Sequence, residues 1–266
     1  MPKARVNGVA LYYEVTGEGP VLVLLNGIFQ RTELWEPLLA HLEGYTVIRY
    51  DMRGQGRSEA PEGPYPPEAH AADLDALLAH LGVSRYHLLG LSNGGVVAQH
   101  HAAQNPPGLE RLVLACTLAH LDAAARAKVE SWRAALLAGG TRLRMRVALP
   151  WIYGRGFLAQ NPGLIEEAAL EEAARFSPTP AAQRRLLEGF LTLGDLRPKL
   201  RRVRAPALVI AGAEDLLFPP AYAEELAAAL PQARLVVLRG VGHVAPLEDP
   251  EGFARTVRAF LEGDDA

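Results

Sequence analysis

Cysteine is nearly missing from this 266-residue chain, where Cys116 stands alone. One thiol can form neither an internal disulfide nor a cysteine-based metal site, which fits a reducing compartment. Lysine occurs only at Lys3, Lys128 and Lys199, and asparagine is scarce. That bias fits a heat-adapted protein or a GC-rich genome and carries no chemistry. Charge of one sign is also lacking. The net charge of −3 leaves no basic field to draw in nucleic acid. No uncharged apolar run approaches the ~20 residues of a membrane span. The opening "MPKARVNGVALYYEV" has no apolar signal-peptide core. Phosphate-binding loops of the Gly-Lys-Ser/Thr or Gly-x-Gly-x-x-Gly kind are absent. The expectation is a cytoplasmic protein whose partners are small molecules, with no nucleic acid and no membrane among them. Oligomeric state is left open.

What remains is ordinary for a soluble globular protein, with 49% apolar and 21% charged residues. The length suits one large α/β domain or two small ones. Residues 5–16, "RVNGVALYYEVT", predict a strand pair turning at Asn7-Gly8. "PVLVLLN" (20–26) and "YTVIRYD" (45–51) are short continuous apolar runs, the mark of strands covered on both faces. Residues 67–81 set Leu74, Leu77, Leu78 and Leu81 on one helical stripe, stopped by Gly82. "RYHLLGLS" (85–92) predicts a strand, 93–104 a helix and "LERLVLAC" (109–116) another strand.

The pattern changes near residue 120. From there to about 200 it is helical, rich in Arg and Glu, and holds Trp132, Trp151, Tyr153, Phe157, Phe176 and Phe190. Strands return with "PALVIAGAED" (206–215) and "ARLVVLRG" (233–240), alternating with helices at 219–229 and 250–262. Such alternation implies an α/β fold with a mostly parallel central sheet and helices on both faces. The core should comprise residues 1–119 and 201–266. Residues 120–200 should form an inserted helical cap over one end of the sheet.

In such sheets, binding and chemistry gather at the carboxyl ends of the strands. "LGLSNGG" (89–95) lies at one such end and contains Gly90-x-Ser92-x-Gly94. A sharp turn from strand into helix would hold Ser92 in a strained conformation and expose its hydroxyl. The Asn93 N–H would be left free at a helix start, where the dipole favours negative charge. The plainer alternative is a Gly-rich turn with a serine cap.

A serine nucleophile needs a base and a group to orient that base. Among the histidines, His41, His70 and His80 are expected on polar helix faces and His87 within a strand. His100 and His101 lie turns away from Ser92. His243, in "GVGHVAPLEDP", falls in a loop at the same sheet end as Ser92 and is the expected base. Asp215, in "AGAEDLLFPP", is the preferred acid. Glu214 should point the other way, and Asp122, after the strand at 109–116, remains a competitor. "LLNGIFQ" can aim the Ile28 N–H at the same spot as the Asn93 N–H, which would complete an oxyanion hole.

Together these segments resemble the α/β-hydrolase family along nearly the whole chain. "YDMRGQGRS" (50–58) resembles the family's loop after its fourth strand. "LLNGIFQRTELW" (24–35) resembles its oxyanion segment, with Asn26-Gly27 where the family has His-Gly. Serine at position 92 argues against the haloalkane dehalogenases and epoxide hydrolases, which carry Asp there. The His-Gly-Gly-Pro-Gly stretch of proline iminopeptidases is absent. The resemblance is strongest to serine esterases and enol-lactonases and implies hydrolysis of a carboxylic ester or lactone without a metal or organic cofactor. Carbon–carbon bond hydrolases of ring-cleavage products and thioesterases are close alternatives, and a ligand-binding sensor with little turnover is a remoter one. Phe29, Trp151, Tyr153 and Phe157 are candidate lining residues of an apolar substrate pocket. The arginines of the insert either form a solvated helix face or bind a substrate carboxylate.

Overall fold

A computed structural model describes residues 2–263, so the outer limits of the expected core, residue 1 and residues 264–266, lie outside it. The chain begins with the predicted hairpin, β1 (Lys3–Val6) and β2 (Val9–Thr16). Its turn places Asn7 and Gly8 at φ 45° and 73°, the left-handed pair that a two-residue hairpin turn needs. Six more strands follow: β3 (Val21–Leu25), β4 (Thr46–Tyr50), β5 (Tyr86–Leu91), β6 (Leu109–Ala115), β7 (Ala207–Gly212) and β8 (Ala233–Leu238). They join in one sheet of order β1-β2-β4-β3-β5-β6-β7-β8. The β1–β2 and β2–β4 pairs are antiparallel and the others parallel.

Between β3 and β4 lies α1 (Glu36–Leu39), followed along the chain by α2 (Pro67–His80) and α3 (Asn93–Ala102). The segment between β6 and β7 is helical: α4 (Ala123–Ile152), α5 (Arg155–Gln160), α6 (Glu167–Phe176), α7 (Pro180–Phe190) and α8 (Arg197–Leu200). The long α4 is broken at Gly139-Gly140, where Gly140 takes φ 70° and ψ −164°. The chain closes with α9 (Pro220–Ala229), α10 (Ala245–Glu248) and α11 (Pro250–Glu262). Among the described residues, no helix is long and apolar enough to cross a membrane.

The inner parallel strands β3, β5 and β7 are largely apolar because both their faces are covered, whereas the edge strand β8 is partly exposed. Alternate residues go to opposite sides. Val23, Leu25, Leu88, Leu112, Leu114 and Val209 join one core with Leu74 and Leu77 of α2 and Val96 and Val97 of α3. Leu22, Leu24, Leu89, Leu91, Val113 and Ile210 join the other, with Trp35, Leu38, Phe253 and Val257. This period of two, carried across adjacent strands, fixes the register, since a one-residue slip would exchange the two cores.

One histidine departs from expectation. His70 on α2 is 1% exposed rather than solvated. Neither ring nitrogen has a hydrogen-bond partner among the described residues, and the ring lies edge-on to Tyr65 at 6.3 Å. The polar periodicity of α2 hid this, because the helix is covered on that side by the segment around Tyr65. Burial, helped by the Arg53 cation, pulls the His70 pKa from 6.5 to about 3. The folded state therefore keeps the ring neutral. Its stabilising effect is complete above pH 6.5 and is lost as pH falls from there towards about 3. Urea-unfolding midpoints of the wild type should fall across that window more steeply than those of His70→Leu. Parallel pH dependences in the two proteins would refute the neutral buried ring.

Candidate active site

Ser92 sits between the last residue of β5 and the first of α3, at φ 54° and ψ −118°. A non-glycine residue holds such angles only where its surroundings over-determine them. Here the backbone is held from both sides. The Ser92 N–H donates to the Ala115 carbonyl at 2.9 Å, and the Thr117 hydroxyl donates to the Ser92 carbonyl at 2.7 Å. The flanking glycines are required by contact. A Cβ on Gly90 would lie 2.3 Å from the Gly94 carbonyl oxygen, and one on Gly94 would lie 2.3 Å from that of Leu25. The turn thus drives α3 hard against the end of β3.

The hydroxyl of Ser92 faces His243, with Oγ 2.8 Å from Nε2. The other ring nitrogen, Nδ1, is 2.7 Å from Asp215 Oδ2. The second oxygen of Asp215 accepts the backbone N–H groups of Leu217 and Phe218 at 2.9 and 2.8 Å. All three side chains are buried. With Asp215 accepting from Nδ1–H, Nε2 is left as the acceptor toward Ser92. The His243 loop is fixed independently. Its backbone N–H donates to the Ile152 carbonyl at 2.7 Å, and Glu248 accepts the N–H groups of Gly242 and Val244. Phe218 stands edge-on to the imidazole at 5.4 Å.

The competing carboxylate lies elsewhere. Asp122 caps the N-terminus of α4, where Oδ1 accepts from Ala125 N–H at 2.7 Å and from the Tyr222 hydroxyl at 2.8 Å. The Ala125 N–H holds its carboxyl below the usual range. Glu214 turns away and accepts the N–H of Arg155.

The loop after β3 is anchored by Asn26, which is fully buried. Its amide donates to the Tyr50 carbonyl at 3.0 Å, and its oxygen accepts from Trp35 Nε1 at 2.6 Å. The side chains of Gln30 and Gln55 accept the N–H groups of Gly27 and Phe29. The N–H groups of Ile28 and Asn93 donate to none of the described residues. The "YDMRGQGRS" segment thereby finds its work: its Gln55 braces the loop, and its buried Asp51 accepts from the N–H groups of Thr32 and Arg57.

A cavity of about 180 Å³ opens onto Ser92 and His243. Of the expected lining residues, Phe29 and Tyr153 face it. Trp151 and Phe157 do not. The Trp151 carbonyl accepts from Leu216 and Leu217 while its ring packs on the core, and Phe157 stacks behind Tyr153 at 5.2 Å. Their places are taken by Trp132, Arg144, Ala148 and Leu149 of α4. The break at Gly139-Gly140 redirects the second half of this helix, and that break defeats simple helical phasing from the sequence.

With this geometry in place, comparison with known proteins identifies the lineage. The alpha/beta hydrolase fold profile matches residues 20–250. The chain belongs to the α/β-hydrolase family. Like its relatives, it is a hydrolytic enzyme. It is 31% identical over 261 residues to 3-oxoadipate enol-lactonase 2 of Acinetobacter baylyi, covering 96% of this chain and 94% of that one. It is 32% identical over 248 residues to a protein of Pseudomonas syringae pv. syringae whose name, RutD, marks a proposed carbamate hydrolase, covering 92% and 94%. The crystal structure of the enol-lactonase from Burkholderia xenovorans superposes with a TM-score of 0.87 at 32% identity, covering 98% and 100% of the two chains.

The Asn26 anchor can be tested directly. Asn26→Ala leaves the buried Trp35 indole N–H without its partner and removes the side-chain donor from the Tyr50 carbonyl. It should lower unfolding free energy by roughly 2 kcal/mol in urea titrations. A loss below about 0.5 kcal/mol would mean that the loop is anchored by its glutamines instead.

Proposed function

We propose that this enzyme is a serine hydrolase of carboxylic esters or lactones, acting through an acyl-enzyme. The observation that carries the reading is His243 standing within hydrogen-bond reach of both Ser92 and Asp215. The enol-lactonase names among its relatives support the substrate class.

In the first half-reaction His243 Nε2 takes the Ser92 proton as Oγ attacks the carbonyl carbon. The developing oxyanion accepts the Ile28 and Asn93 N–H groups, each worth roughly 3–4 kcal/mol in comparable hydrolases. Asn93 adds the positive end of the α3 dipole. As the tetrahedral adduct collapses, the carbon–oxygen bond of the ester breaks. His243 gives its proton to the departing oxygen, which stays tethered to the acyl group if the substrate is a lactone. Water then attacks the acyl carbon as His243 accepts its proton. The second collapse releases the carboxylic acid and returns the proton to Ser92. Asp215 keeps the imidazole in its working tautomer and steadies its cationic form.

In this reading residues 120–200 are a cap that roofs the cavity and excludes water, and Phe29 and Tyr153 line the acyl or alcohol site. The RutD-like relatives favour a second substrate for the same chemistry, a carbamate carbonyl.

The test is p-nitrophenyl butyrate turnover, followed by a panel of lactones, carbamates, thioesters and ring-cleavage acids. Ser92→Ala should lower kcat by about a thousandfold or more. Release that persists at wild-type rate in that variant would end the assignment. Asp215→Asn should cost roughly ten-thousandfold in kcat. Asp122→Asn keeps a side-chain oxygen for the Ala125 N–H, so it should change stability by less than about 1 kcal/mol and leave turnover within a few-fold. A larger kinetic loss from the Asp122 change would reverse the choice of acid.

A further inference from the structure

Arg144 is a cation in an unusual place. It is 5% exposed, lies on the second half of α4 and lines the same cavity as Ser92 and His243. No acidic side chain lines that cavity among the described residues. The other buried arginine, Arg49, is paired with Glu14 and donates to the Thr32 carbonyl. Arg144 forms no ion pair with a described residue. Its Nε donates to Gln183 Oε1 at 2.8 Å, and its two terminal amino groups have no partner among the described residues. Burial lowers its pKa to about 10, so it stays cationic at neutral pH.

The surroundings hold this cation in position. Gln183 is fully buried, and its amide nitrogen donates to Thr141 Oγ1 and the Pro178 carbonyl at 2.7 and 2.6 Å. Both ends of the amide are therefore committed, and its oxygen is fixed on Arg144. Phe29 supports the guanidinium from another side, with the charge 4.2 Å from the ring centroid. To reach that position Phe29 takes φ 67°, a strained backbone for an aromatic residue. The Trp132 indole lines the same cavity, and its buried Nε1–H also lacks a partner among the described residues.

A buried, unpaired cation is costly unless an anion arrives to meet it. We infer that Arg144 is a specificity-determining residue that receives a carboxylate carried by the substrate, so that the preferred substrates are acid-bearing esters or lactones. A single planar guanidinium edge matches a singly charged planar carboxylate in two parallel hydrogen bonds. The apolar neighbours Met145, Ala148 and Leu149 strengthen the pairing by excluding water. This inference rests on the Ser92 hydrolase reading and adds the chemical class of its substrate.

The experiment compares two ester series that differ only in charge: p-nitrophenyl half-esters of straight-chain dicarboxylic acids from succinic to suberic, and the same compounds with the free acid methylated. Rates are corrected for spontaneous hydrolysis. At the best chain length the wild type should prefer the free acid in kcat/KM by roughly tenfold to a hundredfold. Arg144→Met should abolish that preference, mainly through KM, and Arg144→Lys should restore part of it. Thermal unfolding checks the fold, and loss of an unpaired buried charge should leave Tm equal or higher. If Ser92→Ala abolishes turnover but the wild type shows no acid preference at any length, the serine reading stands and this inference falls. A preference that survives in Arg144→Met also overturns it. If Ser92→Ala keeps full turnover, both fall.

Discussion

The strained turn at Ser92 is the constraint on which the other parts depend. A residue at φ 54° and ψ −118° does not hold itself there. It is held because α3 is pressed onto the ends of β3 and β5 through two positions that tolerate no side chain. That close approach places the free end of the Asn93 peptide near the loop after β3 and turns the hydroxyl out of the sheet. The Ser92 N–H, donating to the Ala115 carbonyl, and the Ser92 carbonyl, accepting from the Thr117 hydroxyl, tie the same turn to the end of β6. Four parallel strands, β3, β5, β6 and β7, thus contribute their carboxyl ends to one small volume.

Each polar group brought into that volume has a second attachment outside it. Asp215 is oriented by two backbone N–H groups, the His243 loop by Glu248 and by the Ile152 carbonyl, and the loop after β3 by Asn26, Gln30 and Gln55. Burial raises the Glu248 carboxyl above its usual range, and its hydrogen bonds from Gly154, Gly242 and Val244 oppose that shift. These supports hold the side chains in low-dielectric surroundings, where a misplaced donor or acceptor costs most. Asn26 shows how such a support can change identity. Its amide supplies a donor to Tyr50 and an acceptor to Trp35, so no imidazole is needed to anchor the loop.

Much of this was legible in the sequence. The continuous apolar runs disclosed the buried strands, and the spacing of glycines around Ser92 disclosed the turn. The positions of His243 and Asp215 just past strand ends also followed from the pattern. What the pattern could not carry was contact between distant segments. Nothing local separates His70 from a solvated helix histidine, because its burial is imposed by the segment around Tyr65. Trp151 and Trp132 are equally apolar, and nothing in their local sequence shows that Trp132 is the one that faces the cavity. Asp122 and Asp215 both follow strands, but one is spent on a helix end and the other on an imidazole.

The arginines of α4 meet different fates. Arg142 and Arg146 pair with Glu167 and Glu171 on an exposed face, the ordinary fate of a charged helix stripe. Arg144, between them, is turned inward by the same helical period. The break at Gly139-Gly140 starts that half-helix just before the three arginines. In the proposed mechanism the sheet ends supply fixed positions for proton transfer and for a developing negative charge. The helical segment between β6 and β7 places the Arg144 cation in the same cavity. The two demands differ in tolerance. Moving the reacting groups by a fraction of an ångström weakens the chemistry, whereas a recognition site on a separate helical layer can be altered while the sheet stays unchanged. On the proposed reading, substrate choice belongs to the layer that carries Arg144, Trp132 and Gln183, and bond cleavage to the turn that carries Ser92.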